Sequence, residues 1–455
     1  MDSENPSAET NEEHYRYDDS IVRLFIGATA IWGLVASLAV AASIYILLNP
    51  GLIAAEYNFA RFGNLPLSLT VYGFAANALF AGIYFSTQRL CKCEMWNRSL
   101  SWLHFFGWQF VNVWALVTIF YGHTEHRFGQ DWVWVVDAGF ALVMLCFATN
   151  LMMTLLRRRQ RHMYISLWFY MSGALAPPMF QLLCNLAIPG EGYAGDSLFW
   201  GVADGFLQHW GFECIQYYML LMPAIGLMYY FVPKATGKPV VHYRMAILQF
   251  WAMNTLGVFA ATRVLHYSAV PEWITSLAML AGVVMFFPSW GGVMAGWSML
   301  RGPNKELLKS PILQFYLFGL IFFGFVCIEI GLTSIKSISS WTVFTDWGVA
   351  HSYAISFGVA GMFGIGAIFW MIPQLFHRAL FNKNMLRINV FVSGIGAGVL
   401  VDASFLAGAI QGYKNTSIDA TGTLNYEFVE ILASVKPLWW AAMAGALIFA
   451  VGVLL

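Results

Sequence analysis

The chain has 455 residues, 59% of them hydrophobic and only 11% charged, with a formal net charge of zero. That is too little polar surface to face water, so a soluble globule is excluded. A balanced charge gives no basic footprint for nucleic acid, and no nucleic-acid partner is expected.

The N-terminal segment, residues 1–20, is acidic and polar and has no basic n-region. It reads as a disordered cytoplasmic leader rather than a cleaved signal peptide. Residues 21–455 form a single membrane domain. Twelve apolar stretches follow, near residues 24–48, 65–87, 101–121, 132–156, 164–188, 204–232, 245–267, 272–299, 311–335, 346–373, 388–412 and 437–455. Each approaches the roughly 20 apolar residues that carry a helix across the hydrocarbon core. The fold class expected is therefore all-α integral membrane, with twelve transmembrane helices whose backbone polar groups are satisfied within each helix. Breakers sit mostly between stretches, at Asn49-Pro50-Gly51, Pro189-Gly190, Pro233 and Pro303. Pro177-Pro178 and Pro223 fall inside stretches and predict kinks. The longest polar connection, Tyr413–Lys436, contains Asn415-Thr416-Ser417, a glycosylation pattern that often occurs by chance. The sequence stops at Leu455 while still apolar, which leaves open a helix ending flush with the membrane or a shortened chain.

Lysine and arginine are distributed unevenly. The loops after even-numbered stretches hold sixteen of them, including Arg89, Lys92, Arg98, Arg157, Arg158, Arg159 and Arg161, and also Lys305 and Lys309. The loops after odd-numbered stretches hold five: Arg61, Arg127, Lys336, Lys414 and Lys436. Basic loops stay in the cytoplasm, so both termini are expected there, in a bacterial-type inner membrane. Cys91 and Cys93 lie on that side, where a disulfide is not expected, and a C-x-C pair alone is a weak metal signal.

Ionisable groups inside a membrane are costly and call for a reason. The sixth stretch carries His209 and Glu213, four apart and on one face. The seventh carries Arg263 and His266, three apart. The ninth carries Glu329, read as a structural acid ahead of a proton relay, and the tenth carries His351. With the chain alternating in direction, Glu213, Arg263 and His351 fall at similar depth in the outer half of the membrane. One shared site would produce this, and so would polar groups gathering near an interface.

Several runs resemble the catalytic subunit I of the heme–copper oxidase superfamily, in particular the cbb-type (C-family) cytochrome c oxidases. They are Asn77-Ala78-Leu79-Phe80-Ala81 with Gln88-Arg89, Met228-Tyr229-Tyr230-Phe231-Val232-Pro233-Lys234 and Leu265-His266-Tyr267-Ser268-Ala269-Val270-Pro271-Glu272-Trp273. Pro288-Ser289-Trp290-Gly291-Gly292, Glu329 with Ser334-Ile335-Lys336, and Thr345-Asp346-Trp347 with His351 complete the series. They occur in family order over nearly the whole chain, and nitric oxide reductases share the scaffold. The resemblance implies a low-spin heme between two histidines, a high-spin heme on one, and a metal on three more. Laid on that pattern, the low-spin positions fall at Pro66 and Tyr353. The metal positions fall at Glu213 and Arg263-Val264, and the redox tyrosine falls at Gly257. His351 alone keeps a ligand's identity, as the high-spin heme's axial histidine.

The reading that follows is a divergent cbb-type subunit I homologue within a membrane respiratory complex, without oxygen-reducing activity. No copper is expected, one heme b on His351 is left open, and the catalytic residues are unknown. Glu213 and Arg263 are expected to form a buried ion pair at the former copper site, with His209 one turn away adding a hydrogen bond. Partners are the bilayer and other respiratory-complex subunits, with a c-type cytochrome among them left open. The chain has no C-x-x-C-H for attaching heme covalently. Two alternatives stand beside this: an active oxidase or nitric oxide reductase-like enzyme with a rebuilt site, and a channel or transporter on the same fold.

Overall fold

The computed structural model describes residues 15–51, 58–125, 129–185, 187–190, 192–193, 195–301, 310–378 and 382–455. Pro303, Arg127, Lys305 and Lys309 lie outside these, as does most of the leader. Long helices follow one another in chain order: α1 (Ser20–Leu48), α2 (Phe59–Cys91), α3 (Arg98–Phe120), α4 (Trp134–Leu156), α5 (Ile165–Cys184) and α6 (Val202–Thr236). Then come α7 (Tyr243–Leu265), α8 (Glu272–Leu300), α9 (Pro311–Thr333), α10 (Trp347–Phe376), α11 (Lys383–Thr416) and α12 (Phe428–Leu454). Eleven of these are both long and apolar enough to cross a membrane. The other is α5, a 20-residue helix diluted by Pro177, Pro178, Tyr170 and Gln181. Its length still amounts to about 30 Å of helix. A short antiparallel hairpin, β1 (Ala187–Pro189) with β2 (Gly195–Ser197), joins α5 to α6.

The last helix starts earlier than its apolar stretch suggests. α12 begins at Phe428 rather than near 437, because Glu427 and Glu430 cap it reciprocally, satisfying backbone donors that would otherwise be orphaned. The polar connection before it shrinks accordingly, since α11 runs on to Thr416.

Helix α2 is buried along its whole apolar window, as is α6, whereas only 39% of the windows of α1, α8 and α12 is buried. The two are therefore central, with α10 next at 78% buried and the remaining helices around them. Three of the inner helices are not regular. Wider π turns occupy Leu69–Ala75 in α2, Tyr217–Leu221 in α6 and Ala354–Gly361 in α10. Pro223 follows the π turn of α6. A proline takes away one intrahelical hydrogen bond, and widening the preceding turn accommodates the loss. α7 tightens instead, ending in a 3₁₀ turn over Ala261–Leu265. Glu213, Arg263 and His351 stand on or beside these irregular turns, at the face opposite the basic loops.

Tyr15–Asp19, ahead of α1, lies against the basic-loop end of α2. The Asp18 N–H donates to Gln88 Oε1 at 2.8 Å, and Gln88 Nε2 donates back to the Asp18 carbonyl at 2.9 Å. Arg89 forks onto Asp19 with two bonds of 3.1 and 3.0 Å.

Candidate functional site

Four helices deliver ionisable side chains to one point. Glu213 comes from α6, Arg263 from the 3₁₀ end of α7, Glu329 from the last turns of α9 and His351 from the first turns of α10. All four are at least nine-tenths buried.

Arg263 is the hub. Its Nη2 lies 3.2 Å from Glu213 Oε2 and 3.0 Å from Nε2 of His351. Its Nε donates to Thr333 Oγ1 at 3.3 Å. A guanidinium has donors only, so Nε2 of His351 must accept. That places the ring's proton on Nδ1, which donates to Glu329 Oε2 at 2.6 Å. The other oxygen of Glu329 accepts from Trp347 Nε1 at 2.9 Å. The Thr333 hydroxyl donates to the Glu329 carbonyl oxygen at 2.8 Å. The result is a continuous chain, Glu213–Arg263–His351–Glu329–Trp347. Every strongly polar side chain in it has a partner, which a low-dielectric interior demands.

The structure thus brings Glu213, Arg263 and His351 together, and adds Glu329. From the sequence, Glu329 reads as a structural acid by itself. A weak signal for the pairing is the short span of chain, with one short helix over Lys336–Thr342, between the end of α9 and the start of α10. His209 lines the same cavity, with Nδ1 2.9 Å from the Gly205 carbonyl oxygen on its own helix. His266 does not join the cluster. It lies past the end of the 3₁₀ turn, and its Nε2 sits 3.2 Å from the Thr275 carbonyl oxygen.

A cavity of about 190 Å³ opens above the cluster, lined by Glu213, Arg263, Glu329, His351, His209 and Thr342 among others. Beneath it, the space around Glu213, Tyr217, Gly257 and His351 is only about 10 Å³. The Tyr217 ring takes up the room there. A Cβ on Gly257 would come within 2.6 Å of it, and its hydroxyl donates to the Met253 carbonyl oxygen at 3.1 Å. The two positions that the resemblance assigns to low-spin heme ligands are also closed in. Pro66 is buried in the first turns of α2, and the Tyr353 ring lies 6.0 Å from Phe357. Between α2, α10 and α12, the rings of Phe74, Phe357 and Phe449 pack against one another, mostly edge-on, at 4.7–5.6 Å.

As a donor set for metal, the cluster is poor. Among the described residues, no group of three His, Cys, Asp or Glu side chains is placed to hold an ion. Copper favours imidazole or sulfur ligands, and here the single imidazole has both nitrogens engaged. A heme iron on His351 would need Nε2, the nitrogen Arg263 faces. Cofactor pockets commonly run to about 300–1,000 Å³, well above the cavity present. The residues as arranged do not fit a heme–copper pair.

Comparison with known proteins covers almost the whole chain. Residues 20–448 match the family described as cytochrome C and quinol oxidase polypeptide I. The chain is 31% identical over 443 residues to the Cbb3-type cytochrome c oxidase subunit CcoN1 of Stutzerimonas stutzeri, spanning 96% of this chain and 93% of that one. It is 30% identical to the cytochrome c oxidase subunit 1 homolog of Agrobacterium tumefaciens (strain T37), over 96% and 82% of the two chains. A solved heme-copper terminal oxidase dimer superposes with a TM-score of 0.73 at 12% identity, over 96% of this chain and 82% of that one.

Proposed function

The chain belongs to the cytochrome C and quinol oxidase polypeptide I family, as a subunit I of the heme–copper oxidase type, and we propose that within this family it is a membrane subunit that does not itself reduce oxygen. The observation that carries the reading is the place of Arg263. Its guanidinium lies between Glu213 Oε2 and His351 Nε2, at 3.2 and 3.0 Å. With Glu213 and Arg263 at the positions where the resemblance puts metal ligands, an ion-pair chain would stand where an oxidase holds its metals. Function follows the site rather than the fold.

On this reading the protein is a multi-pass scaffold of twelve spans in a bacterial inner membrane, both termini cytoplasmic. It packs against other subunits of a respiratory complex. Electron entry through a c-type cytochrome would require another chain, because this one has no C-x-x-C-H.

A second reading has one specific observation in its favour. A carboxylate on His351 Nδ1, at 2.6 Å, fixes the ring as the outer partners of metal-ligating histidines do. It suits a chain that keeps a single heme b on His351 once Arg263 turns wholly to Glu213.

The pyridine hemochrome spectrum, metal content and oxygen consumption of the purified protein separate the readings. The first expects heme and copper far below one per chain and no oxygen uptake. Heme near one per chain, absent in His351→Ala, selects the second. Copper near one per chain overturns both.

A further inference from the structure

Helix α11 carries an acid on its outer side. Asp402 is exposed, near the middle of the apolar stretch 388–412. Among the described residues no hydrogen bond or ion pair holds it. The next ionisable residues along the helix are Arg387 and Lys414, roughly 22 and 18 Å away at 1.5 Å per residue. An aspartate has no long stem with which to reach water over such distances, as lysine and arginine do. A carboxylate left against hydrocarbon is costly, and ionisable groups within spans almost always face a partner or a watery cavity.

The residues leading to Asp402 form a seam. Ile388, Phe391, Ile395, Gly398 and Asp402 follow one another at alternating steps of three and four. That repeat puts them on one line of the helix, as the a and d positions of paired helices are. Ile388, Phe391 and Ile395 are exposed, and so is Leu406, one turn beyond the acid. A Cβ on Gly398 would meet nothing within 4 Å, so the seam has an open, shallow point one turn before Asp402. The other sides of α11 are taken. Gly396 and Leu400 meet α12, and Phe405 packs on Phe325 of α9 with ring centres 5.0 Å apart. Small residues let membrane helices approach closely, and one polar residue on an apolar seam fixes the register of the pair.

We propose that this face of α11 docks a transmembrane helix of a partner chain, which brings an arginine or lysine to the depth of Asp402. Charge complementarity selects the occupant. A second copy of this chain would set another aspartate against the first. The one cation within its apolar stretches, Arg263, is buried on Glu213 and His351 and has nothing to offer outside. Lipid chains supply neither a cation nor a reason for the spacing of the seam. The inference names one docking face of the membrane scaffold proposed above, and rests on that reading for the existence of partner chains.

The pairing also dictates geometry. Between two helices the local dielectric is low, so opposite charges attract more strongly than at a wet surface. Arginine suits the seat well, because its planar fork can grip one carboxylate through two bonds. Sliding the partner by one turn would carry its cation about 5.4 Å along the seam, beyond direct hydrogen-bond reach. Asp402 therefore fixes where the partner helix stops, while the apolar positions before it supply the packing.

The test places the full chain in phosphatidylcholine vesicles with a fluorescent peptide of about 20 leucines, flanked by tryptophans and carrying one central arginine. Energy transfer between labelled chain and peptide reads their association. The arginine peptide should associate about tenfold more tightly than an all-leucine peptide. Asp402→Leu should abolish that difference and leave the unfolding temperature of the chain unchanged or raised. Gly398→Leu, which fills the shallow point, should weaken the arginine peptide as well. Equal association of the two peptides with the parent chain, or a preference that survives Asp402→Leu, would overturn the proposal. So would self-association of the chain that is lost in Asp402→Leu while neither peptide is preferred, since a second copy would then be the occupant. Heme content and oxygen uptake play no part in these measurements, so their failure would leave the proposed function standing.

Discussion

Arg263 satisfies three acceptors at once, and removing it strands two of them. Glu213 would keep no cation beside it, and His351 Nε2 would face an empty cavity. Breaking a buried pair by removing one partner costs about 3–5 kcal/mol, whereas replacing both with apolar groups can be neutral. Arg263→Leu or Glu213→Gln alone should therefore lower thermal stability by an amount of that order. The pair of apolar replacements should recover much of it, with a coupling term above about 0.5 kcal/mol in a double-mutant cycle. Strictly additive losses would show that the two groups act independently. A neighbouring residue gives a steric counterpart. A Cβ on Gly257 would lie 2.6 Å from the Tyr217 ring, and Tyr217 is enclosed by Met253 and Met285. Gly257→Ala should cost about 1–3 kcal/mol as overpacking, and Tyr217→Leu should relieve it. Stability of Gly257→Ala equal to the parent protein would mean that the ring moves freely. At this scale the sequence was legible in part. Glu213, Arg263 and His351 were recognisable as costly polar groups at one depth. That Arg263 also bonds His351, and that Glu329 grips its far side, depends on side-chain directions no spacing rule supplies.

Helix packing raises a different kind of constraint. α11 and α12 approach so closely that their backbones touch through glycines. A Cβ at Gly445 would lie 2.4 Å from the Leu400 backbone nitrogen, and one at Gly396 2.5 Å from that of Phe449. Backbone atoms cannot swing aside as a flexible side chain can, so a larger residue must push the helices apart. Small residues at such crossings are how membrane helices gain packing without a hydrophobic drive between them. Gly445→Leu should accordingly lower the unfolding temperature and expose the α11–α12 seam to protease. Gly398, on α11, provides the control, because a Cβ there meets nothing within 4 Å. Gly398→Ala should be neutral or gain up to about 1 kcal/mol from helix propensity. Equal losses in the two variants would argue that glycine's role is conformational rather than steric. Element boundaries were less legible than element existence. Hydropathy placed the last span from 437, but the caps at Glu427 and Glu430 carry the helix back to Phe428. The π turn of α6 is followed by Pro223, a local mark, whereas those of α2 and α10 contain no proline.

At the scale of the whole molecule, the fold and the site were legible to different degrees for a physical reason. Burial in lipid imposes a coarse and regular demand, about 20 apolar residues per crossing, which composition alone can reveal. The site depends on a few angstroms at the ends of four helices, three of them beside irregular turns. Orientation in the membrane lies between these extremes. It depends on where cations sit rather than on which contacts they make, and sixteen against five is a strong bias. Basic residues resist translocation, so the loops after α2, α4, α6, α8 and α10 should face the cytoplasm. The hairpin around Gly190 should then face outward, along with the mouth of the cavity above Glu213 and Arg263. Cys93 offers a native reporter on the basic face. In intact cells, a membrane-impermeant maleimide should label a cysteine introduced at Gly190 in a Cys93→Ser background. It should label Cys93 itself only after permeabilisation. Labelling of Cys93 from outside, with Gly190→Cys protected, would invert the protein and place the ion-pair cavity on the cytoplasmic side.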